Sequence, residues 1–209
     1  MYSYCTLIRK GGSVHILVVL HFSPQFEQET VQFYEYFKNH LKLSRKESHF
    51  FNATACLDGI KLEDMLAKVS KINEPLVIYY GGHGYRNGWQ LGENHQISYK
   101  WLVARLKKRK RPTIFVNDCC FAMALQDHLH KLRCRYLLLG LAPKTLEGFE
   151  SIVPALLDCW KNRRTADPKL WVWNRQRLSP FILKKSGDRL RSGAKLDYLC
   201  YPKKILSRT

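Results

Sequence analysis

The sequence predicts an α/β protein: a three-layer sandwich with a mostly parallel central sheet flanked by helices, followed by a basic C-terminal extension. Three observations carry that prediction. Four short apolar runs recur, Val14 to Leu20, Leu76 to Tyr80, Thr113 to Val116 and Tyr136 to Gly140, and none alternates strictly with polar residues, as strands buried on both faces do not. Amphipathic stretches separate them, so strand alternates with helix and right-handed crossovers follow. The 209-residue chain is 45% hydrophobic and 25% charged, apolar enough to close a substantial core and too apolar for wholesale disorder.

Taken in order, Val14 to Leu20 is the first strand. Phe26, Phe33, Phe37 and Leu41 recur at helical spacing over Pro24 to Leu41, with Ser23 placed as N-cap and Pro24 suited to the first turn. An extra strand is expected around His49 to Ala55. Leu62, Met65, Leu66 and Val69 form a second helical stripe, opened by Asp58 and lost by Asn73-Glu74-Pro75. Further helices are expected over Tyr99 to Lys108, Met123 to Leu132 and Leu146 to Trp160. Folds of this kind place ligands where loops leave the carboxyl ends of the strands.

The chain divides in character near Trp160, giving a 1–160 α/β domain and a 161–209 basic extension. From Lys161 to Arg208 the extension carries 14 Lys and Arg against three Asp, and so holds +11 of the formal +18. Trp171, Trp173, Phe181, Leu183, Tyr198 and Tyr201 are interspersed, so part of it is expected to pack on the domain. The longest apolar run, Ile16 to Leu20, is far short of the roughly 20 residues that cross a bilayer. No secretory pattern opens the chain, and seven irregularly spaced cysteines fit a reducing compartment. The expectation is an intracellular, cytoplasmic protein with no membrane segment.

Two strand ends carry the chemistry. One closes as Tyr79-Tyr80-Gly81-Gly82-His83-Gly84 and the next core strand as Val116-Asn117-Asp118-Cys119-Cys120. If the two strands are neighbours, about 4.8 Å apart, their exit loops bring an imidazole and a thiol within reach of each other. That is the arrangement of a Cys/His dyad, in which a thiolate attacks and the imidazole takes and returns its proton. Glycines on both sides of His83 let a backbone N–H approach a developing oxyanion, with Gly84 N–H and Cys120 N–H as the candidate donors.

The pair of motifs resembles the caspase-haemoglobinase fold of cysteine peptidases, and most closely the metacaspases and their bacterial relatives, over roughly Val14 to Trp160. The resemblance implies that His83 is the catalytic histidine and that Cys120, third in Asp118-Cys119-Cys120, is the nucleophile, with Cys119 a buried neighbour. It implies peptide-bond hydrolysis through a thioester on a polypeptide substrate, with no metal or organic cofactor. It implies that Asp118 lines the pocket for the side chain before the scissile bond and favours Arg or Lys there. The chain departs from the family where Phe121-Ala122-Met123 replaces a small or polar residue and Ser-Gly, and where the first strand lacks an Asn-Asp pair, leaving Asp118 as the one acidic pocket residue expected. Only Phe121 to Arg135 separates the nucleophile from the next strand, too short for a cleavable linker between subunits.

Cys119, Cys120, His128 and His130 raise a zinc reading, but adjacent cysteines are poorly placed on one tetrahedral ion. Lys107-Lys108-Arg109-Lys110-Arg111 reads as a nuclear import signal, a phosphate contact, or a solvated helix end opposing the dipole. The basic extension is a candidate for nucleic-acid or other polyanion contact. The expectation is therefore a cysteine-type endopeptidase, with a catalytically inactive caspase-like scaffold acting as a basic binding protein as the alternative.

Overall fold

The computed structural model describes residues 14–21, 23–40, 42–53, 59–134, 136–140, 151–154, 156–157 and 197–200. In chain order its elements are β1 (His15–Leu20), α1 (Glu27–His40), β2 (Ser48–Asn52), α2 (Gly59–Lys71), β3 (Leu76–Gly81), β4 (Gly84–Tyr85), β5 (Gly88–Gly92), β6 (His95–Ser98), α3 (Tyr99–Leu106), β7 (Thr113–Asp118), α4 (Gln126–Leu129), β8 (Tyr136–Gly140) and β9 (Asp197–Cys200). Short 3-10 turns span Pro24–Phe26 and Ala122–Leu125. The main sheet runs β2-β1-β3-β7-β8-β9. Its first five strands are parallel, and β9 lies antiparallel to β8.

The four apolar runs are thus the core strands, and their lack of alternation has the expected cause, since helices cover both faces. Register aligns Ile16 with Val77 and Val77 with Ile114, and this row packs with Phe33 and Phe37 of α1 and with Ile152, Val153, Leu156 and Leu157. The next row, Leu17, Ile78 and Phe115, packs on the other face with Leu62, Leu66 and Val69 of α2 and Leu102, Val103 and Leu106 of α3. Each such side chain, removed from water, contributes about 1.5–3 kcal/mol. The chain moves from β1 outward to β2 and then returns to β3 on the other side of β1, so the order reverses between β1 and β3. A crevice opens at such a reversal, at the carboxyl ends of the strands.

Several elements differ from expectation. Ser23, extended before Pro24, makes no side-chain cap, and the helix starts with a 3-10 turn before α1 proper. The expected helix over Met123 to Leu132 is instead the 3-10 turn Ala122–Leu125 followed by the single turn α4. All four residues of that 3-10 turn are buried, and consecutive buried residues cannot share one face of a longer α-helix. α3 ends at Leu106, and Ser98 Oγ caps its start by accepting from Trp101 N–H at 3.1 Å. Of the expected Leu146 to Trp160 helix, residues 153, 154, 156 and 157 are helical. Ser151 and Ile152 precede the helix, and the remaining positions of that stretch lie outside the described residues, as do the 160/161 boundary, Leu41, Ala55, Asp58 and the bulk of the basic extension.

A second, three-stranded antiparallel sheet, β4-β5-β6, was not expected. Its hairpins turn at Arg86-Asn87 and Glu93-Asn94, two-residue connections with Asn and an adjoining glycine of the kind hairpins favour. Within the basic run, Lys107, Lys108, Lys110 and Arg111 are exposed, but Arg109 is buried. Its guanidinium donates to the carbonyls of Val69 (2.6 Å), Ile72 (3.1 Å) and Glu74 (2.7 Å) and to Thr113 Oγ1 (3.1 Å). The middle cation therefore holds the end of α2 and the following turn, so the run is not one continuous solvated patch. Among the described residues, no helix is long and apolar enough to cross a membrane.

Candidate active site

β3 and β7 are adjacent and parallel, with Gly81 opposite Asp118. His83 and Cys120 each stand two residues beyond that pair. They open onto one cleft of about 720 Å³, lined by Gln25 and Glu29 beyond β1, His83 and Gly84 beyond β3, and Asp118 and Cys120 at and beyond the end of β7. The two exit loops touch: a Cβ on Gly84 would lie 2.3 Å from the Cys120 carbonyl oxygen and 2.7 Å from Cys119 Sγ. Only a residue without a side chain fits there. The structure thus brings together His83, Gly84, Asp118 and Cys120 in a single cleft.

Asn117 sets the floor of the cysteine loop. Its Oδ1 accepts from Trp89 Nε1–H at 2.6 Å and from the Cys119 thiol at 3.4 Å. Its Nδ2 donates to the Ala122 carbonyl at 2.6 Å and to Tyr99 Oη at 3.2 Å. Both lone pairs and both protons of the amide are used, so the loop from Cys119 to Ala122 is fixed at both ends. Phe121 turns the chain at φ 53°, the left-handed region that side chains other than glycine enter at a cost. Its ring lines the cleft, with the Arg86 guanidinium 5.8 Å from the ring centre. The two cysteines are not equivalent. Burial pushes the Cys119 thiol well above its ordinary range, and donation to Asn117 holds it protonated, which makes it a poor nucleophile.

The histidine loop is held as firmly. Tyr80 Oη lies 2.6 Å from the His83 carbonyl and 2.5 Å from that of Gln90, and Gln90 N–H donates to His83 O at 3.0 Å. With His83 bonded to Gln90, the antiparallel alternation makes Gly84 and Trp89 a non-hydrogen-bonded pair. Gly84 N–H is therefore turned away from β5, as an oxyanion donor must be. The exposed His83 ring meets His21 and Phe26 edge to face, with centroids 5.0 and 4.9 Å away, and its Nε2 lies 3.2 Å from Gln25 Nε2. His21 is fully buried and its Nδ1 accepts from Ser23 N–H at 2.9 Å. Burial, reinforced by the charge of His83, lowers its pKa to about 4, so at neutral pH it is an uncharged wall behind His83.

Asp118 sits between strand end and helix. Oδ1 accepts from Ile152 N–H at 2.8 Å, and Oδ2 accepts from Tyr79 Oη at 2.9 Å and Ser151 Oγ at 2.5 Å. Burial dominates these donors and raises its pKa to about 6. Glu29, on α1, lines the same cleft. Asp118 is therefore not the only acidic residue there, contrary to the expectation from the missing Asn-Asp pair.

The sequence motifs pointed to His83, Gly84, Asp118 and Cys120, which share this cleft, but not to the residues that hold or line it: Asn117, Tyr80, Trp89, Tyr99, His21, Gln25, Glu29 and Ser151. Asn117 had a signal, a polar amide inside an apolar strand, because buried amides must be paired. Glu29 and Gln25 had none, since helix phase relative to the cleft is a tertiary property. Among the described residues, no group of three or more His, Cys, Asp or Glu is placed to hold a metal ion. No protein-family model matches the chain, and no curated protein matches it.

Proposed function

We propose that this cleft is the active site of a caspase- or metacaspase-like cysteine endopeptidase that cleaves polypeptides after basic residues. The observation that carries the reading is the in-register pairing of β3 and β7, with Gly84 seated against the Cys120 carbonyl oxygen and the Cys119 side chain. His83 takes the proton of the Cys120 thiol, and the thiolate adds to the scissile carbonyl carbon. Gly84 N–H and Cys120 N–H receive the negative oxygen. As the C–N bond breaks, His83 returns the proton to the leaving amine and a thioester remains. Water, deprotonated by His83, then releases the acid and restores the thiol. No cofactor enters these steps. Seven irregularly spaced cysteines support a reducing, intracellular setting, in which the Cys120 thiol would stay reduced.

The test is hydrolysis of fluorogenic peptides ending in Arg or Lys by the purified chain. Cys120→Ala is expected to abolish it and Cys119→Ala to retain it, and activity in Cys120→Ala equal to wild type would refute the mechanism.

A second reading, an inactive scaffold acting as a basic binding protein, draws support from the Phe121 ring in the cleft. Iodoacetamide separates the two, since an activated Cys120 alkylates faster than the other thiols at mildly acidic pH and a scaffold thiol does not. Polyanion contact through the basic extension, and nuclear import, belong to this second reading. The burial of Arg109 removes one cation from the import run. Binding to mixed-sequence DNA or RNA that weakens steeply with salt would support the nucleic-acid version.

A further inference from the structure

We propose that Glu29, on α1, is the specificity residue that pairs with the cationic side chain of the substrate, while Asp118 serves as a fixed floor beneath it. The proposal rests on the peptidase reading and gives the pocket a different determinant from the one the motif suggests.

Three observations point to Glu29. The first is that Asp118 is already committed. Its two oxygens accept from Ile152 N–H, Tyr79 Oη and Ser151 Oγ, donors carried by a core strand and by the two residues just before a helix, so three bonds hold the carboxyl in place. Three of about four lone-pair positions are used. The second is that Glu29 is half-buried in the wall of the cleft, and no hydrogen bond or ion pair ties its carboxylate to another described residue. Gln25, four residues earlier, lines the same cleft and reaches His83 Nε2 at 3.2 Å, so Glu29 follows closely, along the same segment, the residue that meets the candidate base. The third is that the two carboxyls act on each other. The negative charge of Glu29 adds to burial in raising Asp118, and it also raises Tyr79. Two like charges facing one cavity repel, and a guanidinium or ammonium entering between them removes that cost and gains charge-assisted hydrogen bonds.

The discriminating substrates are two peptides that differ only at the residue before the scissile bond, arginine in one and its uncharged isostere citrulline in the other. Turnover is measured with wild type, Glu29→Gln and Glu29→Lys. Binding of the same peptides is measured by fluorescence anisotropy on the full chain carrying Cys120→Ala, with and without Glu29→Gln. Wild type is expected to favour arginine, with the preference falling at least tenfold in Glu29→Gln and reversing in Glu29→Lys, in binding as in turnover. An arginine preference that survives both substitutions overturns the proposal while leaving the peptidase intact. Selective binding of arginine that depends on Glu29, with no turnover by wild type, upholds the subsite and refutes the peptidase. Absence of any preference for arginine in both assays overturns the subsite.

Discussion

Gly84 has no room for a side chain. A methyl group there meets the Cys120 carbonyl oxygen, which is backbone and cannot rotate away. On the proposed peptidase reading, Gly84→Ala is expected to lower peptide hydrolysis by about 100-fold or more, on the order of the loss from one oxyanion donor, and retention of most activity in a folded variant would remove Gly84 from the site. Two other residues, His21 and Asp118, make opposite contributions to how stability depends on pH. His21 titrates near 4 in the folded chain against an ordinary 6.5, so as pH falls through that window the unfolded chain gains a proton the folded chain refuses, and stability is lost. Asp118 titrates near 6 against an ordinary 3.8, so on the same descent the folded chain gains its proton first, and stability rises. Each effect is on the order of 3 kcal/mol, and they oppose each other between about pH 6 and 4. Relative to wild type, Asp118→Asn should lose stability more steeply on acidification and His21→Gln less steeply. Urea midpoints at about pH 7, 5.5 and 4.5 measure both, and three parallel profiles would contradict the assignment.

Among the elements, the core strands were legible because burial on both faces writes itself into the sequence as an unbroken apolar run. α1, α2 and α3 were legible because one covered face leaves a helical stripe. The β4-β5-β6 sheet was not, because strands of two to five residues carry too few side chains for a pattern and the signal lay only in their Asn-containing turns. The basic run from Lys107 to Arg111 shows the limit of reading charge from sequence. Arg109 lies in the same string as its solvated neighbours, yet it holds the carbonyls that follow α2. Arg109→Met leaves Val69, Ile72 and Glu74 carbonyls without that donor, and is expected to cost about 3 kcal/mol of unfolding free energy. Chemical denaturation measures this, and a loss below about 0.5 kcal/mol would mean that water replaces the guanidinium. The same substitution should leave the arginine-to-citrulline preference of the distant cleft in place.

At the scale of the whole molecule, the reversal of strand order between β1 and β3 gathers the loops after β1, β3 and β7 around one opening. β9, from the C-terminal segment, pairs along β8 and so covers the edge that the parallel strands would otherwise leave open. Local sequence was enough for the layered α/β class, for the core strands, and for a histidine and a cysteine standing at the same short distance beyond two strand ends. These follow from local patterns: apolar runs, helical stripes, and glycines next to a histidine. The tertiary structure alone decided which strand lies beside which, that Gly84 rests on the cysteine loop, that Asn117 and Tyr80 fasten the two loops, and that Glu29 reaches the cleft while Asp118 is occupied. Those outcomes depend on sheet register and helix phase, which are set by packing between segments far apart in the chain, and no local pattern encodes them.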